Sequence, residues 1–254
     1  MKYYIISGEA SGDLHGSMLI QSLQKEDNHA VVRAWGGDLM QAAGADLVRH
    51  YKEMAYMGIG QVLWHLPSIL GNFKFCHRDI LKFAPDALIL IDYSGFNLRV
   101  AEWAKKQGLK VFYYISPQVW ATREKRVEKI KRNVDKMFVI LPFEKDFYKK
   151  HGYEVEFIGH PLLDVVDNYV VDKDFKSKFN LNDKPIIALL PGSRKQEIKS
   201  MLKVMLSVVD DFSEYQFVIA GAPSMDTAFY DTFVQGKKNV QFIPNQTYNL
   251  LSNS

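Results

Sequence analysis

One cysteine, Cys76, stands in a chain of 254 residues, so no internal disulfide can form, and a reducing compartment is the simplest reading. No run of about 20 consecutive apolar residues occurs, which leaves no helix able to span a bilayer. The opening Met1-Lys2-Tyr3-Tyr4-Ile5-Ile6-Ser7-Gly8 enters a glycine turn without the longer apolar stretch and small-residue cleavage site of a signal peptide. The seven histidines and the cysteine lack ligand spacing, so no metal site is expected. Neither sign of charge dominates: 32 basic against 29 acidic residues leave +3, which by itself indicates neither a nucleic-acid partner nor a membrane. With 47% hydrophobic and 24% charged residues the composition excludes disorder. The chain reads as globular and cytoplasmic.

Short apolar runs alternate with amphipathic ones. Strands are predicted at Tyr3–Ile6, Val31–Trp35, Ala87–Ile91, Lys110–Ile115, Lys136–Leu141 and Val155–Ile158. Helices are predicted at Leu14–Leu23, Leu39–Ala43, Leu98–Gln107, Thr122–Asn133 and Glu144–Lys150. Strands separated by helical segments predict βαβ units, a mainly parallel sheet and an α/β fold. A polar stretch follows at about Asp164–Lys184. The opening pattern then returns with strand Ile186–Leu190, loop Pro191-Gly192-Ser193, helix Ile198–Val209 and strand Gln216–Ala220. The expectation is two Rossmann-like domains, a complete one over 1–165 and a partial one over 166–254, the latter with room for about three strands where such a domain usually has five or six.

Ligands of open α/β sheets sit beyond the carboxyl ends of the strands, which selects the loops to consider. In Ser7–Gly16 the glycines at 8, 12 and 16 are four apart, not the G-x-G-x-x-G dinucleotide spacing. Glu9 and Asp13 would repel a phosphate there, so the loop suits hydroxyls, with Ser11 and Gly12 at hand; a turn with helix-capping acids is the plain alternative. Asp92 follows four apolar strand residues, where partial burial can lift a carboxylate towards the range of a general base. Tyr93 and Asn97 could orient a polar substrate, while capping of the next helix would explain Asp92 equally well. Ser116, Gln118 and Trp120 form a mixed polar and aromatic wall, although Trp120 could equally be core. His160 lies in Gly159-His160-Pro161, a context more often structural than catalytic. Gly192, Ser193, Arg194 and Glu197 surround the start of a helix, where N–H groups, dipole and guanidinium suit a diphosphate. The Walker spacing is absent.

Two features concern partners. Between Arg123 and Lys136 seven basic residues face three acids, an excess larger than the net charge of the whole chain. A solvated helix face explains this, and so does attraction of Arg123, Arg126 and Lys129 to anionic headgroups. The run 56–70, with Met57, Ile59, Val62, Leu63, Trp64 and Leu66, is more apolar than one buried helix face requires. Most such runs are core, but a greasy helix beside a basic one would suit a lipid substrate.

Seven segments occur in order: Ser7-Gly8-Glu9-Ala10-Ser11-Gly12-Asp13, Met57-Gly58-Ile59, Ser116-Pro117-Gln118-Val119-Trp120-Ala121, Arg123-Glu124-Lys125-Arg126, Leu141-Pro142-Phe143-Glu144-Lys145, Gly159-His160-Pro161 and Leu190-Pro191-Gly192-Ser193-Arg194. The ordered set closely resembles the lipid-A-disaccharide synthase family of inverting, two-Rossmann-domain (GT-B) glycosyltransferases, over nearly all the chain. The resemblance implies transfer of 2,3-diacylglucosamine from UDP-2,3-diacylglucosamine to the 6-hydroxyl of 2,3-diacylglucosamine 1-phosphate (lipid X). A β-linked tetraacyl disaccharide 1-phosphate and UDP would result, as a step of lipid A biosynthesis. It also implies that no metal or other cofactor takes part, and that the enzyme works peripherally on the anionic inner membrane of a Gram-negative bacterium.

Under that resemblance Asp92 is the first choice of base, with Glu9 and Asp13 as rivals, and Ser193 and Arg194 hold the departing diphosphate. Met57, by its motif, joins the substrate-binding residues. The family pattern D-x-P-D-F-N reads Asp92-Tyr93-Ser94-Gly95-Phe96-Asn97 here, so a glycine stands where the second acid is usual. Family members also continue past the equivalent of Ser254, so this chain alone is expected to bind UDP poorly and turn over little. Unpaired edge strands in the incomplete sheet would favour self-association, most simply a homodimer. Two rivals stay open: a UDP-sugar epimerase on the same architecture, and a non-catalytic lipid-binding module.

Overall fold

In a computed structural model, residues 1–53, 66–222 and 225–254 are described, the side chains of 66–69 excepted. The chain divides into two compact units, Met1–Leu162 and Leu163–Ser254.

The first unit is a seven-stranded parallel sheet. Its strands are β1 (Lys2–Ile6), β2 (Val31–Gly36), β3 (Asp46–His50), β4 (Ala87–Ile91), β5 (Val111–Tyr114), β6 (Lys136–Val139) and β7 (Glu156–Phe157). Their order is β3-β2-β1-β4-β5-β6-β7, so the direction of winding reverses between β1 and β4. That switch opens a crevice at the carboxyl edge. The strands are apolar on both faces because both faces are covered: Tyr4, Ile6, Leu88 and Leu90 pack into one core, and Tyr3, Ile5, Ala87, Ile89 and Ile91 into the other. The flanking helices are α1 (Ala10–Glu26), α2 (Asp38–Ala42), α3 (Leu66–Phe83), α4 (Ser94–Lys106), α5 (Val119–Thr122), α6 (Val127–Asn133) and α7 (Pro142–Lys150).

The elements depart from sequence expectation in several places. Helix α1 starts at Ala10, not Leu14, so Ser11, Gly12 and Asp13 lie on its first turn. Gly12 permits this approach, since a Cβ there would sit 2.8 Å from the Ser7 Cβ. The single helix expected over Thr122–Asn133 is broken: Arg123, at φ −142° and ψ 45°, separates α5 from a 3-10 turn at Glu124–Arg126, and α6 follows. Strand β3 was not expected, because its Asp-Leu-Val-Arg-His sequence carries the half-exposed pattern of a sheet edge.

The second unit begins with α8 (Leu162–Asp167) running across the division, then α9 (Phe175–Lys178). Phe175 is fully buried with Ile186, Val218, Ala220, Ile243 and Leu250, so the polar stretch supplies core. Strands β8 (Ile186–Leu189), β9 (Gln216–Gly221) and β10 (Val240–Pro244) form a parallel sheet in the order β10-β9-β8. Helices α10 (Lys195–Met205), α11 (Thr227–Val234) and α12 (Thr247–Asn253) complete the unit. Alternate residues of β9 face opposite cores, Phe217 and Ile219 to one and Val218 and Ala220 to the other, the period of two expected of a strand covered on both sides.

Candidate active site

Five strand ends of the first unit converge at its carboxyl edge. After β1 the chain turns through Ser7, whose N–H donates to the Trp35 carbonyl at 2.9 Å. Gly8 comes next, and a Cβ at Gly8 would lie 2.3 Å from the Tyr93 ring. Only glycine admits that contact, which ties the β1 turn to the β4 turn across the switch point. Glu9 is the half-buried N-cap residue of α1. Burial first, and then the Glu9 carboxylate, push the Tyr93 phenol up to about 12, so Tyr93 stays neutral at physiological pH.

Backbone strain concentrates on the same edge. Asp92 and Tyr93 both have positive φ, 41° and 47°, and the β-branched Ile115 after β5 has φ 65°. Left-handed conformations at non-glycine residues persist where the surroundings over-determine them, and they cluster at functional sites. The device that holds Asp92 is visible. Its carbonyl accepts from the Asn97 amide at 2.9 Å and from the Tyr113 hydroxyl at 2.5 Å. The same Asn97 nitrogen lies 3.1 Å from the Ile91 carbonyl and 3.3 Å from that of Ile6. Asn97 is therefore sealed at 0% exposure, and it does not reach a substrate; it pins β1 to β4 and fixes the turn that carries Asp92. The Asp92 side chain itself is exposed.

Asp13 is the second expected site residue that structure turns to other work. It is 3% exposed. One carboxylate oxygen accepts the N–H groups of Gly37 at 2.8 Å and Met40 at 3.0 Å, and the other accepts that of Leu39 at 3.1 Å. It caps α2 from a distant helix, with its acceptor capacity directed at backbone, which leaves Asp92 and Glu9 as the candidate carboxylates at the edge. Asp13→Ala is expected to lower stability by about 3 kcal/mol, because backbone donors lose a charged acceptor away from water. Urea denaturation checks this, and a loss below about 1 kcal/mol contradicts it.

A cavity of about 220 Å³ adjoins Asp92, lined also by Ile115, Ser116, Gln118, Ile140, Leu141 and Glu144. Ser116 is buried and donates to one Glu144 oxygen at 2.5 Å, while the other accepts the N–H groups of Ile140 and Leu141 at 3.2 and 2.9 Å. Glu144 is thus the internal brace of this wall. In the sequence it stands only as part of the Leu141–Lys145 motif; at N3 of α7 it reaches back to the N-cap N–H, the half of a capping box that a leucine N-cap allows. Gln118 is exposed at the cavity rim. Trp120 is half-buried, edge-on to Phe143 at 4.9 Å.

His160 accepts the Leu162 N–H at 3.2 Å, and its ring lies 6.4 Å from that of His15. Burial first, and His160 second, lower the His15 imidazole below its ordinary 6.5, and burial does the same to His77. Both take protons more readily in the unfolded chain. Stability is therefore level above the ordinary histidine value of about 6.5 and falls as pH drops below it. Thermal melts between pH 7.5 and 5.5 should show that fall, with a shallower slope in His15→Gln; parallel slopes contradict it.

In the second unit Gly192 has φ 105°, and a Cβ there would lie 2.4 Å from a Glu197 carboxylate oxygen. The left-handed φ favours glycine there, and Glu197 folds back over the loop. Arg194, in extended conformation, is the N-cap residue of α10. Ser193, Arg194 and Glu197 are exposed.

The basic stretch is unevenly engaged. Lys129 pairs with Glu102 at 2.6 Å, and Glu124 with His151 at 3.0 Å. Arg126 donates to the Ser94 hydroxyl at 3.1 Å. Of the apolar run, Met57, Ile59, Val62, Leu63 and Trp64 lie outside the described residues, as does the side chain of Leu66, where α3 begins. No helix among the described residues is long and apolar enough to cross a membrane.

A family model described as Lipid-A-disaccharide synthetase matches residues 3–253. The lipid-A-disaccharide synthase of Trichlorobacter lovleyi is 44% identical over 203 residues, 80% of this chain and 53% of its own length. That of Geobacter metallireducens is 43% identical over 229 residues, 88% of this chain and 60% of its own. The chain thus spans just over half the length of these relatives. Among solved structures, UDP-GlcNAc 2-epimerase from Neisseria meningitidis, bound to UDP-GlcNAc, superposes with a TM-score of 0.70 at 15% identity, over 100% of this chain and 76% of that one. The glycotransferase of kitacinnamycin gives 0.62 at 15%, over 100% and 73%. At such identities the likeness is one of fold, the GT-B fold of glycosyltransferases and epimerases, and it does not favour epimerase chemistry.

Proposed function

Because the chain belongs to the lipid-A-disaccharide synthase family, we propose that it forms the acceptor-binding unit and part of the donor-binding unit of a hexosyltransferase of lipid A biosynthesis. The donor would be UDP-2,3-diacylglucosamine and the acceptor lipid X. The observation that carries this reading is Asp92: an exposed carboxylate on a strained, doubly anchored turn at the sheet's switch point, beside a cavity.

The reaction is a single displacement with inversion. The acceptor 6-hydroxyl attacks the anomeric carbon of the donor sugar while Asp92 takes its proton, and the bond to UDP breaks with its electron pair leaving on the diphosphate. Arg194, Ser193 and the N-terminal end of α10 stabilise that developing charge. The hydroxyl of Ser116 is committed to Glu144, so that wall supplies shape, and Gln118 and Glu9 supply adjustable polar contacts. The basic stretch and the run 56–70 would bring the enzyme to an anionic, peripheral membrane surface where acylated substrates reside.

The test is mass spectrometry of products from both diacylated sugars, using protein of full family length. A tetraacyl disaccharide phosphate with one UDP per turnover is expected. Interconversion of UDP-GlcNAc with its 2-epimer, and no disaccharide, would overturn the reading in favour of an epimerase.

A further inference from the structure

A second cavity, of about 310 Å³, lies beside the first and is lined by Ser94, Gln118, Thr122, Arg123 and Arg126 among others. Gln118 lines both, so the space next to Asp92 and this one share a wall. Its lining carries two cations, Arg123 and Arg126, and no acid. Arg126 is half-buried, and its one hydrogen bond among the described residues goes to the Ser94 hydroxyl. Of the acids nearby, Glu102 pairs with Lys129 and Lys106, and Glu124 contacts the His151 imidazole. Burial first, then the cations of Arg123 and Arg99, disfavour the charge on Arg126, with the Tyr113 phenol acting in the opposite sense. A guanidinium does not shed its proton to escape such a site. Helix α4, 13 residues long, begins at Ser94 and adds the positive end of its dipole. A protein that gathers charge of one sign around a cavity has built a site for the opposite sign.

We propose that this pocket holds the phosphomonoester of a sugar phosphate whose hydroxyl is presented to Asp92 next door. It deepens the acceptor assignment above and rests on it. Arg126 and Arg123 would grip the phosphate oxygens, Ser94 would donate once its hydroxyl is shared, and Gln118 would lie along the sugar between the two cavities. The arginines thereby select the acceptor by its anionic group, a more specific task than general attraction to a charged leaflet.

Isothermal titration of the 254-residue protein with glucosamine 1-phosphate and with glucosamine tests this. The sugar phosphate is expected to bind at least about tenfold tighter, Arg126→Gln to erase most of that difference, and Arg126→Lys to recover part of it. Ser94→Ala, on a different element, should weaken binding about threefold and keeps the test open if Arg126→Gln fails to fold. Equal binding of the two sugars would overturn the proposal. So would inorganic phosphate binding as tightly as the sugar phosphate, which leaves no role for the sugar. Flotation on phosphatidylglycerol vesicles that is lost in Arg126→Gln, with sugar-phosphate affinity unchanged, would assign the arginines to the bilayer and overturn it too. Failure of the glycosyl-transfer reading looks different. Phosphate-dependent binding without disaccharide formation retains the pocket and loses the reaction, while equal turnover of phosphorylated and unphosphorylated acceptors retains the reaction and loses the pocket.

Discussion

Asp92→Asn is expected to reduce disaccharide formation by about 10²–10⁴-fold in a protein of full family length, with little change in folding stability. The substitution separates chemistry from architecture. Asparagine is nearly isosteric with aspartate and is among the few residues that tolerate positive φ, so the turn at φ 41° survives. The carbonyl that Asn97 and Tyr113 hold belongs to the backbone and is untouched. What disappears is the negative charge, and with it the capacity to take a proton from an attacking hydroxyl. Steady-state kinetics with both diacylated substrates check the outcome, together with a thermal melt. Near-normal turnover would move the base to Glu9, the other carboxylate at this edge. Gly95 sharpens the point: it occupies the position where the family pattern has its second acid, and a Cβ there meets nothing within 4 Å. Gly95→Asp would therefore fit without strain, so the glycine is not demanded by packing.

Arg194→Ala is expected to lower kcat/KM for the UDP-sugar by about 10²–10³-fold, the size of effect seen when one preorganised stabiliser of developing charge is removed. The backbone at Arg194 is extended, φ −104° and ψ 136°, and alanine adopts it readily. Loss of activity would then report on the guanidinium. The effect should fall on kcat and on the donor, with the KM of the acceptor nearly unchanged, and Arg194→Lys should recover only part because a point charge cannot match the bidentate fork. Kinetics with varied donor at saturating acceptor decide it, and an unchanged kcat contradicts the role.

Most strands were legible because a sheet covered on both faces leaves nearly continuous apolar runs, as in Ala87–Ile91 and Gln216–Ala220, whereas β10, with its half-exposed Val-Gln-Phe-Ile-Pro, was not placed. Edge strand β3 lacks such a run and was invisible for that reason. The loops that carry the candidate site were legible too, since the carboxyl edge of a parallel sheet names them in advance. Which way a side chain points from those loops was not. Asp13 and Asn97 have the chemistry of site residues and sit in the right segments, yet tertiary packing turns one onto the amides of α2 and the other onto the carbonyls of β1 and β4. The strain at Asp92, Tyr93 and Ile115 was equally out of reach, because a tyrosine or isoleucine gives no sign of a positive φ in a sequence and an aspartate only a weak one. The arginine pocket was seen as a charge run. Arg123 and Arg126, which line it, flank a break that a helical reading of Thr122–Asn133 erased.

The most direct measurement is a pair of amide-resonance maps of the 254-residue protein, one with UDP and one with glucosamine 1-phosphate. The nucleotide should shift Gly192–Ile198 most strongly, and the sugar phosphate should shift Asp92–Gly95 and Gln118–Arg126. Nucleotide shifts confined to the Ser7–Gly16 turn, with the α10 start silent, would contradict the assignment of acceptor and leaving group to separate units.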